Sequence, residues 1–283
     1  RITAPLKRRI IAIGASALVG RRLNRLRSSR NLPPIKLQEL HRNRQILVCT
    51  AFGLEYERPL PPNVAMVGLM LSQRKQPLSP ELDTWLSAGA PVVFVCLGTL
   101  AVASAHQLAR MAAALTNDAF RTLWSLKPDQ AALLPASTTS SLRILEWSPQ
   151  QAVLAHPSVK VFVSHCGINS VHESVHAGTP IVGIPMFGDH QDMALRVADA
   201  GIGVWLVKQK FTTEELRDAI LRVLYDQPFG AAMANVQRAL AAAGGVGRAA
   251  DLIEAQAQPP ASPCEGSAGR SPVEPLRRIT PQQ

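Results

Sequence analysis

Residues 159–184 run VKVFVSHCGINSVHESVHAGTPIVGI. Val159–Ser164 is a short apolar, β-branched run of the kind that forms a strand buried on both faces. His165-Cys166-Gly167 breaks it, and the spacing predicts a helix over Asn169–Ala177. Gly178-Thr179-Pro180 stops that helix. Ile181–Ile184 then starts a second strand. Strand, helix and strand in this order require a crossover, which makes the two strands parallel.

The same stretch contains His172-Glu173-Ser174-Val175-His176, a match to H-E-x-x-H. On a helix that pattern sets two His on one face for zinc, with Glu as general base. The extended pattern requires Gly at 179 and His at 182, where the chain has Thr179 and Val182. The helix also ends directly after His176. A metalloprotease is therefore not expected, and no metal ligands are assigned.

Outward from this unit the alternation continues. Pro91–Leu97 (PVVFVCL), Leu123–Leu126, Leu142–Leu145 and Gly203–Leu206 are strand candidates. Ala103–Leu115, Asp189–Ala200 and Thr212–Tyr225 are helix candidates, the last capped by Thr212 or Thr213 ahead of Glu214-Glu215. Strands alternating with helices predict an α/β domain, a Rossmann-like parallel sheet with helices on both faces, over residues 88–254. Residues 255–283, rich in Pro, Ser, Gln and Gly, are expected to be a disordered tail. Gln45–Thr50 is a further strand candidate, and Pro-rich connectors follow at Arg58–Pro62 and Gln76–Pro80.

Charge is concentrated at one end. The chain of 283 residues carries a net charge of +10, yet residues 1–44 hold 12 Lys/Arg against Glu39 alone. The remainder holds 18 basic and 19 acidic residues. No aromatic interleaves the basic segment, so nucleic-acid binding is not expected. Residues 7–30 are expected to form a basic helix, ended by Asn31-Leu32-Pro33-Pro34, packed on a domain or in peripheral contact with a membrane surface. Ile10–Val19 is about half the length a spanning helix needs, so a cytoplasmic or membrane-associated chain without a transmembrane span is expected. Four Cys (49, 96, 166, 264) show no C-x-x-C pairing. Cys49 and Cys96, in apolar runs, are expected to be small buried hydrophobes.

The site chemistry follows from the turn after Val159–Ser164. Ligands of open parallel sheets bind at the carboxyl ends of strands. A helix N-terminus there offers free N–H groups and a positive dipole to phosphate. Gly167 permits close approach of an anion, Asn169 and Ser170 add donors, and His165 can hydrogen-bond or, protonated, pair with phosphate. Glu173, one turn along, suits the diol of a ribose. Taken alone, Ser170…Glu173 also matches a capping box. Likewise, Asp189 alone matches an N-cap and Trp147 a core residue.

Together these residues resemble the nucleotide-sugar signature of the UDP-dependent glycosyltransferases, which glycosylate small lipophilic acceptors on a GT-B fold. The matching pieces are W-S-P-Q from Trp147, H-P from His156, H-C-G-I-N-S-V-H-E from His165, G-T-P-I-V-G-I-P from Gly178 and F-G-D-H-Q from Phe187. Weaker likeness covers PVVFVCLGT (91–99) and FGLEYERPLPPNVAMVG (52–68). The resemblance implies the C-terminal half of a GT-B fold, preceded over residues 1–87 by an incomplete second Rossmann-like domain and interdomain linker.

It also implies a role for each matched position. Trp147 would stack on uracil with Gln150 nearby, and Glu173 would hold the ribose hydroxyls. His165, Gly167, Asn169, Ser170 and Thr99 would hold the diphosphate. Asp189 would bind sugar hydroxyls, followed here by His190 and Gln191 where the family usually has Gln directly. In some relatives His at this place accompanies galactose. Ile168 stands where plant members carry Trp. The UDP-sugar would be a co-substrate, with no cofactor. The family's inverting reaction uses a His base and an orienting Asp from the N-terminal domain. Only His41 precedes residue 88, and it does not match that motif. A truncated chain that retains donor-binding residues and lacks the base is therefore expected, with a non-catalytic nucleotide-sugar-binding or regulatory module as the alternative.

Overall fold

The computed structural model of the chain describes residues 18–36, 44–72, 76–89, 91–134, 141–226 and 228–257. Residues 18–28 form helix α1. Asn31, in the left-handed region at φ 53, turns the chain out of it. β1 (Ile46–Val48) and β2 (Val64–Met66) pair in parallel, Ile46 opposite Val64. α2 (Pro80–Ser87) then leads into the main sheet.

That sheet contains β3 (Val92–Cys96), β4 (Arg121–Ser125), β5 (Leu142–Leu145), β6 (Val159–Ser164), β7 (Ile181–Gly183) and β8 (Gly203–Trp205). Its order is β5-β4-β3-β6-β7-β8, with every pairing parallel. The connecting helices are α3 (Ala105–Leu115), α4 (Pro128–Ala131), α5 (Gln150–Leu154), α6 (Ile168–Ala177) and α7 (His190–Asp199). α8 (Thr213–Tyr225), α9 (Pro228–Ala242) and α10 (Gly245–Ala257) follow β8. Capping boxes start α3 (Ser104 with Gln107) and α8 (Thr212 with Glu215). Gly178, at φ 78, closes α6.

Side-chain alternation explains why the strands are apolar throughout. Val93, Val95, Val161 and Val163 face one core with Leu108 and Met111 of α3 and Leu216 and Ile220 of α8. Val92, Phe94 and Phe162 face the other, with Leu82 and Leu86 of α2 and Val153 and Leu154 of α5. There the Phe94 and Phe162 rings stack at 5.2 Å. A third cluster joins Ile181 to α6, α7 and α9 and takes in Ala51 and Leu54. The segment after β1 is further held by Tyr56 Oη donating to Asp199 at 2.6 Å and by Arg196 against Glu55 at 3.2 Å.

Several sequence expectations need correction. Cys49 is exposed and Cys96 only partly buried, because β1 is a short strand paired on one side and β3 ends at an open crevice. α2 begins where an extended connector was expected: Ser79 accepts from the Leu82 N–H and Pro80 occupies the first turn, a start signal hidden by the prolines around it. α9 and α10 were missed because Gly and Ala dominate them. The helix continues to Ala257, past the expected start of the tail at 255, and residues 258–283 lie outside the described residues. So do residues 7–17 of the expected basic helix.

Candidate functional site

From β3 the chain moves outward to β4 and β5, then returns to β6 and moves the opposite way to β7 and β8. The reversal between β3 and β6 is a switch point, where open α/β sheets leave a crevice beyond the carboxyl ends of their strands. A cavity of about 760 Å³ lies there, a size suited to a nucleotide-sized ligand. The turn after β3 (Cys96–Thr99), the segments after β4 and β5, and the start of α6 line it.

Glu173 of α6 is held through both of its carboxylate oxygens. Gln150 Nε2 donates to Glu173 Oε2 at 2.6 Å and to Ser170 Oγ at 3.1 Å. Gln151 Nε2 donates to Glu173 Oε1 at 3.1 Å. The capping-box alternative for Ser170 and Glu173 is thereby replaced: the N-cap of α6 is Gly167, with no side-chain cap bond. Asp189 does stand at the N-cap of α7, again without a side-chain bond. The first N–H groups of α6 stay available to an anion.

Trp147 is 62% exposed, so its indole is a rim feature and not core. His165 follows β6 at the switch point. Its ring fills the space between two glycines: a Cβ on Gly98 would lie 2.8 Å from Nε2, and one on Gly167 2.5 Å. Burial, reinforced by His190, pushes the His165 pKa down to about 4, against weaker opposing effects of the Cys96 backbone and Asp189. The depressed pKa favours a neutral imidazole at pH 7, and so the hydrogen-bonding role over the charged pair with phosphate, the two roles the sequence allowed. Cys166 is buried with φ 62, a strained conformation that bends the chain sharply from β6 into α6.

The cavity brings together Thr99, Trp147, Gln150, His165, Asn169, Ser170 and Glu173. It does not include Gly167, Asp189, His190 or Gln191 among its lining. Gly167 acts as the spacer beside His165. His190 is buried, its ring edge-on to His165 at 4.7 Å and tilted against Phe187 at 4.5 Å, while Asp189 and Gln191 are exposed. Sequence reasoning missed Gln151 and the group after β4, Lys127, Asp129 and Gln130. The carboxyl-end rule applied to β4 would have found that group, and W-S-P-Q-Q carries Gln151 beside a residue already chosen. Of the apparent zinc pair, His172 is buried and His176 exposed.

Strand order and cavity define a Rossmann-type α/β domain with a crevice at its switch point. Among solved structures, the glycotransferase of kitacinnamycin shares the fold: TM-score 0.71, 22% identity, 90% of this chain and 67% of that one. An anthocyanidin 3-O-glucosyltransferase in complex with UDP gives TM-score 0.61 at 26% identity, over 74% of this chain and 52% of that one. The family model for UDP-glucoronosyl and UDP-glucosyl transferase matches residues 18–238. The chain belongs to that family. The mouse 2-hydroxyacylsphingosine 1-beta-galactosyltransferase is 33% identical over 220 residues, covering 76% of this chain and 40% of the relative. Mouse UDP-glucuronosyltransferase 3A1 is 35% identical, over 65% of this chain and 36% of the relative. The chain thus spans well under half the length of these relatives.

Proposed function

We propose that the cavity binds a UDP-sugar and that the protein transfers its hexose, with inversion, to a hydroxyl of a small lipophilic acceptor. The observation that carries this reading is Glu173, fixed through both carboxylate oxygens inside a cavity at the switch point. Trp147 stacks on uracil. Gln150 and Glu173 take the ribose. His165, Thr99 and the start of α6, with Asn169 and Ser170, take the diphosphate. Asp189 and Gln191, at the start of α7, take the sugar, with the His190 ring against His165. Family membership and the relatives' names support the donor class.

In the reaction the acceptor oxygen attacks the anomeric carbon opposite UDP. The bond from that carbon to the β-phosphate oxygen breaks, and UDP leaves with the electron pair. The hydroxyl proton passes to a base, for which we assign no residue of this chain. The N–H groups of α6 oppose the charge that develops on the leaving phosphate. Incubating the chain with UDP-hexose and a lipophilic alcohol separates the two readings. Glycoside and UDP in equal amounts support transfer; donor binding without product favours a nucleotide-sugar-binding module.

A second reading concerns α1. It exposes Leu18, Val19 and Leu26 beside Arg21, Arg22 and Arg25, which supports peripheral contact with an anionic bilayer surface. No helix among the described residues is long and apolar enough to cross a membrane. Sedimentation with phosphatidylserine vesicles and not with phosphatidylcholine vesicles is the expected outcome; equal recovery with both contradicts it.

A further inference from the structure

Glu173 is restrained from two sides by adjacent residues of one short helix. Gln150 and Gln151 begin α5, whose Val153 and Leu154 are buried in the core beneath it. The two amides therefore reach Glu173 from a fixed platform. Their roles differ. Gln150 bridges Ser170 and Glu173 and, in the donor reading, borders the ligand. Gln151 makes its one side-chain bond among the described residues, to Glu173 Oε1.

Each oxygen of a carboxylate can accept about two hydrogen bonds. With one site on each oxygen taken by an amide, one site on each is left, and the two point in a fixed plane. Two vicinal hydroxyls are the matching donor pair. A carboxylate held on one oxygen alone could rotate about its last side-chain bond, a soft two-fold torsion, and would present no fixed pair.

We propose that Gln151 is a positioning residue that locks the carboxylate plane of Glu173 and thereby sets a preference for ribonucleotides over 2′-deoxyribonucleotides. This rests on the reading that Glu173 faces the ribose. The role concerns selectivity, so it is separable from a general contribution to folding or to nucleotide affinity.

The test is calorimetric titration of the full chain with UDP and with 2′-deoxy-UDP, in wild type, Gln151→Ala and Gln151→Leu, with melting temperatures recorded alongside. Wild type is expected to prefer UDP by about 10-fold or more, the equivalent of one charge-assisted hydrogen bond. Both variants are expected to lose about five-fold in UDP affinity, with 2′-deoxy-UDP changing less than about two-fold. Gln151→Leu keeps the side-chain bulk, so it reports on the amide even if the alanine variant unfolds. Equal weakening of both nucleotides, or unchanged selectivity, overturns the positioning role and leaves the donor reading standing. A wild type that binds UDP and 2′-deoxy-UDP equally overturns the ribose reading of Glu173, and this proposal with it.

Discussion

Gly98 and His165 meet at the point where the strand order of the sheet reverses: a Cβ on Gly98 would sit 2.8 Å from His165 Nε2. Gly167 closes the other side of the same ring at 2.5 Å. The imidazole is thus placed by two residues that have no side chain.

Gly98→Ala combines that collision with a φ of +79, whereas Gly167→Ala has the collision alone. Both are expected to displace the His165 ring and weaken UDP binding about 10-fold or more. Gly98→Ala is expected to lose stability by roughly 1–3 kcal/mol, since strain and overpacking act together. Chemical denaturation and UDP titration of both variants check this.

Trp147 offers a different balance, because its indole is exposed and little of the core depends on it. Trp147→Ala is expected to reduce UDP affinity by roughly 10–100-fold, the range of one base–aromatic stack. Its melting temperature should stay within a few degrees of wild type, and Trp147→Phe should recover much of the affinity. Quenching of tryptophan emission by UDP, lost in Trp147→Phe, is the direct readout.

Burial holds His172, like His165, near a pKa of about 4. In the unfolded chain these groups titrate near 6.5. Between the two values the unfolded chain binds protons that the fold refuses. Stability is therefore full above about pH 6.5, falls as pH drops, and levels off near pH 4. His172 Nε2 has no hydrogen-bond partner among the described residues, so His172→Leu gives up no bond seen at that nitrogen. That variant is expected to flatten the loss by up to roughly 3 kcal/mol at pH 4. Urea unfolding across pH 4–8 measures it; an unchanged slope contradicts the burial account.

Much of the sheet was legible because doubly covered parallel strands must be apolar on both faces. Val92–Cys96 and Val159–Ser164 are such runs, and the breaks after them mark the site. Helices α9 and α10 were not legible, since their Gly- and Ala-rich sequence gives weak periodicity and their partners come from residues 51–69 and α6. The site was legible where one segment supplies a whole unit, as from His165 to Glu173. It was not legible where tertiary contact decides: His190 next to His165, Gln151 against Glu173, and the depressed His165 pKa all depend on neighbours distant in sequence.

The most direct measurement is isothermal titration of UDP into the wild-type chain and into Glu173→Ala. One site is expected in wild type. Glu173→Ala is expected to weaken binding about 100-fold through loss of two charge-assisted hydrogen bonds to the ribose, with an unaltered circular dichroism spectrum. UDP binding of equal strength in both proteins, or none in wild type, would contradict the assignment of this cavity to the nucleotide.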